Sequence, residues 1–166
     1  CFTSQRAQLK LKGNTDPARN QLGWKWQRGD VSTQTDLGDP TTATTYYLCV
    51  YDQTAATPAL VGTLKIDPNA AWQSKDPKGF NYKDKLGAED GVQKAKLKTG
   101  LAGRSQVQVK AKGMNLPIPV PMGGGSYFDS DPSVVVQLVT SEGKCWTTEF
   151  PSATKNDDTQ YKAKVK

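Results

Sequence analysis

The chain has no histidine, and this absence restricts its chemistry more than any residue that is present. Without an imidazole there is no Ser-His-Asp triad, no Cys-His dyad and no histidine-based zinc site. Arginine is scarce too: Arg6, Arg19, Arg28 and Arg104 are the whole set, so the positive charge is mostly lysine. Lysine is a hydrated point charge without the planar fork that reads guanine or phosphate bidentately, which argues against sequence-specific nucleic-acid recognition. No apolar run approaches the roughly 18 residues of a membrane-crossing helix, and no basic-then-apolar leader opens the chain. A soluble, mature chain without a transmembrane segment is expected. Helical periodicity is nearly absent as well, with "KLGAEDGV" the best place for a single turn.

Motifs for catalysis and cofactors are also missing. There is no nucleophile elbow, no phosphate loop and no C-x-x-C pair. Carboxylates in "DLGDP" and "DSDP" could offer oxygens to calcium, but each group has two acids and neither has the spacing of an EF-hand. Turn formation by Asp is the better reading. The expectation is a protein without enzymatic activity, cofactor or metal.

What is present is the grammar of strands. Apolar and polar residues alternate over short runs bounded by Gly, Pro, Asp and Asn. Leu9 and Leu11 in "AQLKLKG" fall on one face with Lys10 and Lys12 on the other, and "QLGWKWQ" and "SQVQVKAKG" repeat the pattern. "GVQKAKLKTG" reads as an exposed or edge strand, where lysine discourages edge-to-edge pairing. "YYLCVYD" and "SVVVQLVT" are apolar on both faces and read as central strands; "ALVGTLKI" and "CWTTEF" add two more. The long segment "GMNLPIPVPMGGGSYFDSDPS" has alternate prolines, which cannot donate to a ladder, and reads as an edge segment or crossover that ends in a flexible loop.

About nine strands at these spacings predict an all-β fold, an antiparallel β-sandwich of immunoglobulin-like general architecture. Residues 1–150 form the single domain in this reading. Residues 151–166 form a polar, lysine-rich tail with a candidate short strand.

The series "DPARNQLGWKW", "DLGDP", "YYLCVYD", "KGFNYKDKLGAEDG", "LKTGLAGRSQVQVKAKGMNLPIP" and "VVVQLVTSEGKCW" resembles a functionally uncharacterised module of predicted secreted proteins of environmental bacteria. The resemblance runs through nearly the whole chain in the same order. It implies export to the bacterial exterior or surface and a self-contained domain, often the last of a longer polypeptide, and it brings no catalytic residues. Members of that module often carry a close cysteine pair just before the position of Trp72. This sequence reads "DPNAAWQSK" there, which implies one local crosslink fewer.

Three cysteines remain, Cys1, Cys49 and Cys145. The favoured pairing is Cys49 with Cys145, because Cys49 lies in a central-strand candidate and Cys145 opens a strand beside Trp146. Such a bridge closes about 97 residues and contributes roughly 4 to 5 kcal/mol in the loop-entropy treatment. Cys1 bonded to either strand cysteine, three reduced thiols, and an interchain bond from the odd cysteine are the alternatives. Lipid attachment to Cys1 is a further reading, which Phe2 and Thr3 do not support.

For aromatics, the question is core or platform. Trp24, Trp26 and Trp72 are candidate sugar-stacking residues, although strand spacing puts Leu22 on the same face as Trp24 and Trp26 and favours burial. Lysine excess gives a net charge of +6, from 22 Lys and Arg against 16 Asp and Glu, and points to a solvated face with weak polyanion or glycan attraction.

Two functions follow as expectations. The first is a non-enzymatic extracellular structural or adhesive module, including a self-assembling subunit of a surface fibre whose partners are other protein chains. In that version the strand-like ends "AQLKLKG" and "YKAKVK" complete a neighbour's sheet. The alternative is an accessory module that binds carbohydrate or another cell-surface polymer.

Overall fold

The computed structural model describes residues 1–166, and the alternating runs become two antiparallel sheets whose apolar faces meet. In chain order the strands are β1 (Ser4–Lys12), β2 (Gln21–Gly29), β3 (Tyr46–Thr54), β4 (Thr57–Ile66), β5 (Trp72–Ser74), β6 (Gly79–Lys83), β7 (Val92–Lys98), β8 (Ser105–Lys112), β9 (Val134–Thr140), β10 (Cys145–Phe150), β11 (Ala153–Asp157) and β12 (Gln160–Val165). The large sheet has the order β11-β12-β1-β2-β8-β7-β6-β5, and the small one β10-β9-β3-β4. A β-sandwich is therefore the architecture, with twelve strands instead of about nine.

Period-2 alternation explains the core. Leu9 and Leu11 of β1, Leu22, Trp24 and Trp26 of β2, and Val107 and Val109 of β8 point inward, opposite Tyr46, Leu48 and Val50 of β3 and Val136 and Leu138 of β9. Trp26 also ties the sheets by donating its indole N–H to the Thr147 carbonyl of β10 at 3.1 Å. Tyr46, Trp72 and Tyr82 form an aromatic run with centroids 5.4 and 5.1 Å apart.

Several expectations change. Residues 151–166 supply β11 and β12, and β12 lies between β11 and β1, with Tyr161 and Ala163 in the core. The segment "GVQKAKLKTG" is not an edge: β7 is paired on both sides, by β6 and β8. "KLGAEDGV" forms turns and no helix; the short 3-10 turns fall at Pro17–Arg19 and Thr35–Leu37. Asp16 explains the first of these by accepting from the Ala18 N–H at 3.0 Å, with Pro17 preset for the turn.

The proline-rich segment crosses from β8 in the large sheet to β9 in the small one. It is anchored in part: Leu116, Tyr127 and Phe128 are buried, and the Tyr127 hydroxyl donates to the Pro119 carbonyl at 2.7 Å. Asp52 holds its far end, accepting from the Asp129 and Ser130 N–H groups at 2.8 Å each.

Candidate binding face

Inward positions are taken by the core, so the candidate site lies on the outward positions of the large sheet. Strands β1, β2, β5, β6, β7, β8 and β12 contain no Asp or Glu. Their outward residues are lysine and glutamine in alternation with the apolar core positions. Lys10 and Lys12 come from β1, Lys25 from β2, Lys110 and Lys112 from β8, Lys94, Lys96 and Lys98 from β7, Lys83 from β6, and Lys162 and Lys164 from β12. The molecule's ion pairs are Lys65–Asp67, Lys144–Asp36 and Lys155–Asp157, so no lysine of these seven strands is neutralised by a carboxylate.

Register arranges these charges into rows. One row runs Lys162, Lys10, Gly23, Lys110, Lys94, Lys83 across β12, β1, β2, β8, β7 and β6. The next runs Lys164, Gln8, Lys25, Gln108, Lys96, Asn81 across the same strands. Neighbouring strands are about 4.8 Å apart, so each row extends about 24 Å. Lys10 with Lys162, Lys94 with Lys110, and Lys83 with Lys94 stand directly opposite one another. Opposed like charges destabilise a sheet by tenths of a kcal/mol each. These strands are interior to the sheet, so protection of an edge does not explain their lysines.

Two depressions lie along this face. One, of about 580 Å³, is centred on β1, β2 and β8 with Gly23 in its lining; the other, of about 560 Å³, continues over β7 and β6 towards Gln73 of β5. Gln93 borders both.

Trp24, Trp26 and Trp72, the candidate stacking residues, are all core: none is more than 4% exposed. The same alternation that put lysines outside put the indoles inside, so they are not available to a ligand. Asp36 and Asp39, the "DLGDP" acids, serve their own turns. Asp36 accepts from the Thr33 hydroxyl and N–H at 2.6 and 2.9 Å, and Asp39 from the Thr41 hydroxyl and N–H at 2.6 and 2.9 Å. These bonds hold both carboxyls below the usual carboxylate range.

Cysteine pairing also departs from the favoured expectation. Cys1 is bonded to Cys145, with Cα atoms 4.6 Å apart, and Cys49 is free. Cys49 sits on β3 and Cys145 on β10, with β9 between them. Two strand spacings, about 9.5 Å, exceed the roughly 7 Å limit for a disulfide. Cys1 reaches Cys145 because Phe2 pairs along the edge of β10: its N–H donates to the Cys145 carbonyl at 2.7 Å, and its carbonyl accepts from Thr147 N–H at 2.9 Å. In this structure the Cys1 sulfur is held in that disulfide.

Comparison with family models, with curated proteins and with solved structures returned no match for this chain. The residues themselves carry the functional reading. Sequence inspection identified the lysines strand by strand but missed the face, because a face needs the strand order. The one signal in the sequence was the lack of acids in every alternating segment.

Proposed function

We propose that the chain is a non-enzymatic extracellular module that binds acidic polymers of a bacterial surface or matrix against the outer face of its large sheet. The observation that carries this is the carboxylate-free lysine and glutamine face on seven neighbouring strands, with its rows of opposed lysines. An array that repels itself is stabilised when a polyanion replaces its counter-ions, and a row longer than 20 Å matches a polymer better than a small anion. The export implied by the resemblance fits a ligand outside the cell, and a disulfide fits an oxidising compartment.

The test is retention of the protein on immobilised polyanions of equal charge density over a series of ionic strengths. Binding at low salt that weakens as the Debye length shrinks, and that falls at least tenfold in a Lys94→Glu/Lys110→Glu double variant, is the expected result. No binding to any polyanion at about 0.02 M salt overturns the proposal.

Self-assembly into a fibre is the second reading, and the free Cys49 is what favours it. Two features weigh against it. Burial pushes the Cys49 thiol above its ordinary value, which disfavours the thiolate that disulfide exchange needs. Strands β1 and β12 are each paired on both sides, so neither is free to complete a neighbour's sheet. Light scattering with and without reductant decides: a monomer in both conditions removes the fibre reading.

A further inference from the structure

Four glycines lie within strands: Gly23, Gly29, Gly62 and Gly79. Three have a steric reason. A Cβ at Gly29 would meet the Trp26 ring at 1.8 Å, one at Gly62 the Pro119 ring at 2.9 Å, and one at Gly79 the Leu97 carbonyl at 1.9 Å. Gly23 has none. Nothing lies within 4 Å of the position its Cβ would take, its φ is not in the left-handed region, and the ladders on both sides pass through it in unbroken register. Glycine in the middle of a central strand weakens that strand, and where no bulge, bend or close backbone contact requires it, the remaining reason is a ligand that comes close to the backbone.

The surroundings of Gly23 say what kind of ligand. Lys10 and Lys110 flank it across the sheet, and Gln21 and Lys25 precede and follow it on its own face. Gln8 and Gln108 flank Lys25 in turn. The approximately 580 Å³ depression over these residues is of the size that holds small organic groups. Lysines supply donors for an anionic group. Glutamine amides both donate and accept, which matches hydroxyl groups, whereas a chain of phosphates offers acceptors alone. The aromatic residues of these strands point into the core, so no base-stacking platform faces the ligand.

We infer that Gly23 is the floor of a subsite for one sugar unit of an acidic polysaccharide, its ring lying against the strand backbone, its acidic group between Lys10, Lys25 and Lys110, and its hydroxyls on Gln8, Gln21 and Gln108. This rests on the polyanion reading above and narrows it to one polymer class. Because the space over Gly23 is open, a larger side chain there fills the subsite without disturbing the core.

The experiment compares wild type, Gly23→Ala, Gly23→Ile and Lys83→Glu/Lys94→Glu for binding to oligogalacturonate and to inorganic polyphosphate of equal charge number. Circular dichroism and thermal melting are run on each. Expected for Gly23→Ile is an unchanged or raised melting temperature, at least a tenfold loss of oligogalacturonate affinity and less than a twofold change for polyphosphate; Gly23→Ala falls between. The double lysine variant, which changes charges on β6 and β7 outside the lining of the depression over Gly23 although Lys94 faces Lys110, loses affinity for both probes.

Wild-type oligogalacturonate binding in both folded Gly23 variants, with loss of both probes in the lysine variant, overturns the subsite and leaves the polyanion reading standing. Tighter wild-type binding of polyphosphate than of oligogalacturonate overturns the polysaccharide assignment. Failure of wild type to bind either probe removes the parent reading itself.

Discussion

The two outward faces of this sandwich obey the same alternation and have opposite character. On the large sheet every outward position from β12 to β6 is lysine, arginine, glutamine, asparagine or small, and no carboxylate interrupts them. On the small sheet the outward residues include Tyr47, Cys49 and Tyr51 of β3 and Val135, Gln137 and Val139 of β9, all half-buried by one another. Its charges sit at the rim, where Lys65 pairs with Asp67 at 2.8 Å. One face thus accumulates unpaired charge and the other avoids it. Charge of a single sign is expensive to concentrate and serves attraction at a distance; a neutral, self-covered face does neither. The difference is what assigns the proposed polymer site to the large-sheet side of the molecule.

The largest expected effect tests what holds the two faces apart. The Cys1–Cys145 bridge closes a loop with a sequence separation of 144, and the loop-entropy treatment gives it about 5 kcal/mol at most. Cys145→Ser is expected to lower the denaturation midpoint by an amount in the 2–5 kcal/mol range usual for a lost native disulfide. Urea melts of wild type and variant, with and without reductant, measure it; reductant is expected to lower wild type and leave the variant unchanged.

A pH titration probes the layer between the faces. Burial pushes Tyr82, Tyr127 and Tyr161 up to about 12. Their folded values exceed the unfolded value near 10, so their contribution is complete below about pH 10 and is lost as pH rises through 12. Ultraviolet difference spectra are expected to show these phenolates appearing late and together with loss of strand signal. A phenolate set that titrates fully near pH 10 with the fold intact contradicts the buried positions.

Charge reversal sharpens the contrast directly. Lys94→Glu/Lys110→Glu exchanges two opposed like charges for two others at the centre of the large face, so stability is expected to stay within about 0.5 kcal/mol while polyanion affinity drops at least tenfold. Lys65→Glu on the small-sheet side is expected to leave affinity within twofold. Equal losses for both variants mean that binding follows net charge and not a face.

The smallest effect belongs to Cys49→Ser. The thiol is half-buried beside Thr63 and Gln137, and the loss of its modest burial is expected to stay below about 1 kcal/mol, with polyanion binding unaltered. Thermal melts and the same binding assay check both statements.

Much of the fold was legible. β1, β2, β8, β9 and β10 follow from runs of six or more alternating or apolar residues, because side chains that alternate across a pleat leave a period of two in the sequence. The strands missed were β5, β6 and β11, of three to five residues, too short for a period to register. β12 was legible only as a candidate short strand. Its place in the large sheet comes from β11 and β1 on its two sides, with Tyr161 and Ala163 supplying core contacts that a polar tail does not advertise. Of the candidate site, the lysines were visible one strand at a time, while Gly23 was not singled out, since a glycine in a strand looks the same whether or not something packs on it.

By itself the sequence determined that imidazole chemistry is excluded, that apolar and polar residues alternate into strands, that one cysteine is left over and that acids are kept out of most strands. Tertiary structure decided the rest. A period of two assigns a residue to a face but does not say which strand is its neighbour, so the rows of lysines, the opening over Gly23 and the choice of Cys1 as partner of Cys145 all wait on strand order. Once β1 lies between β12 and β2, and Phe2 continues along the edge of β10, scattered lysines become one surface and distant sulfurs come within bonding reach.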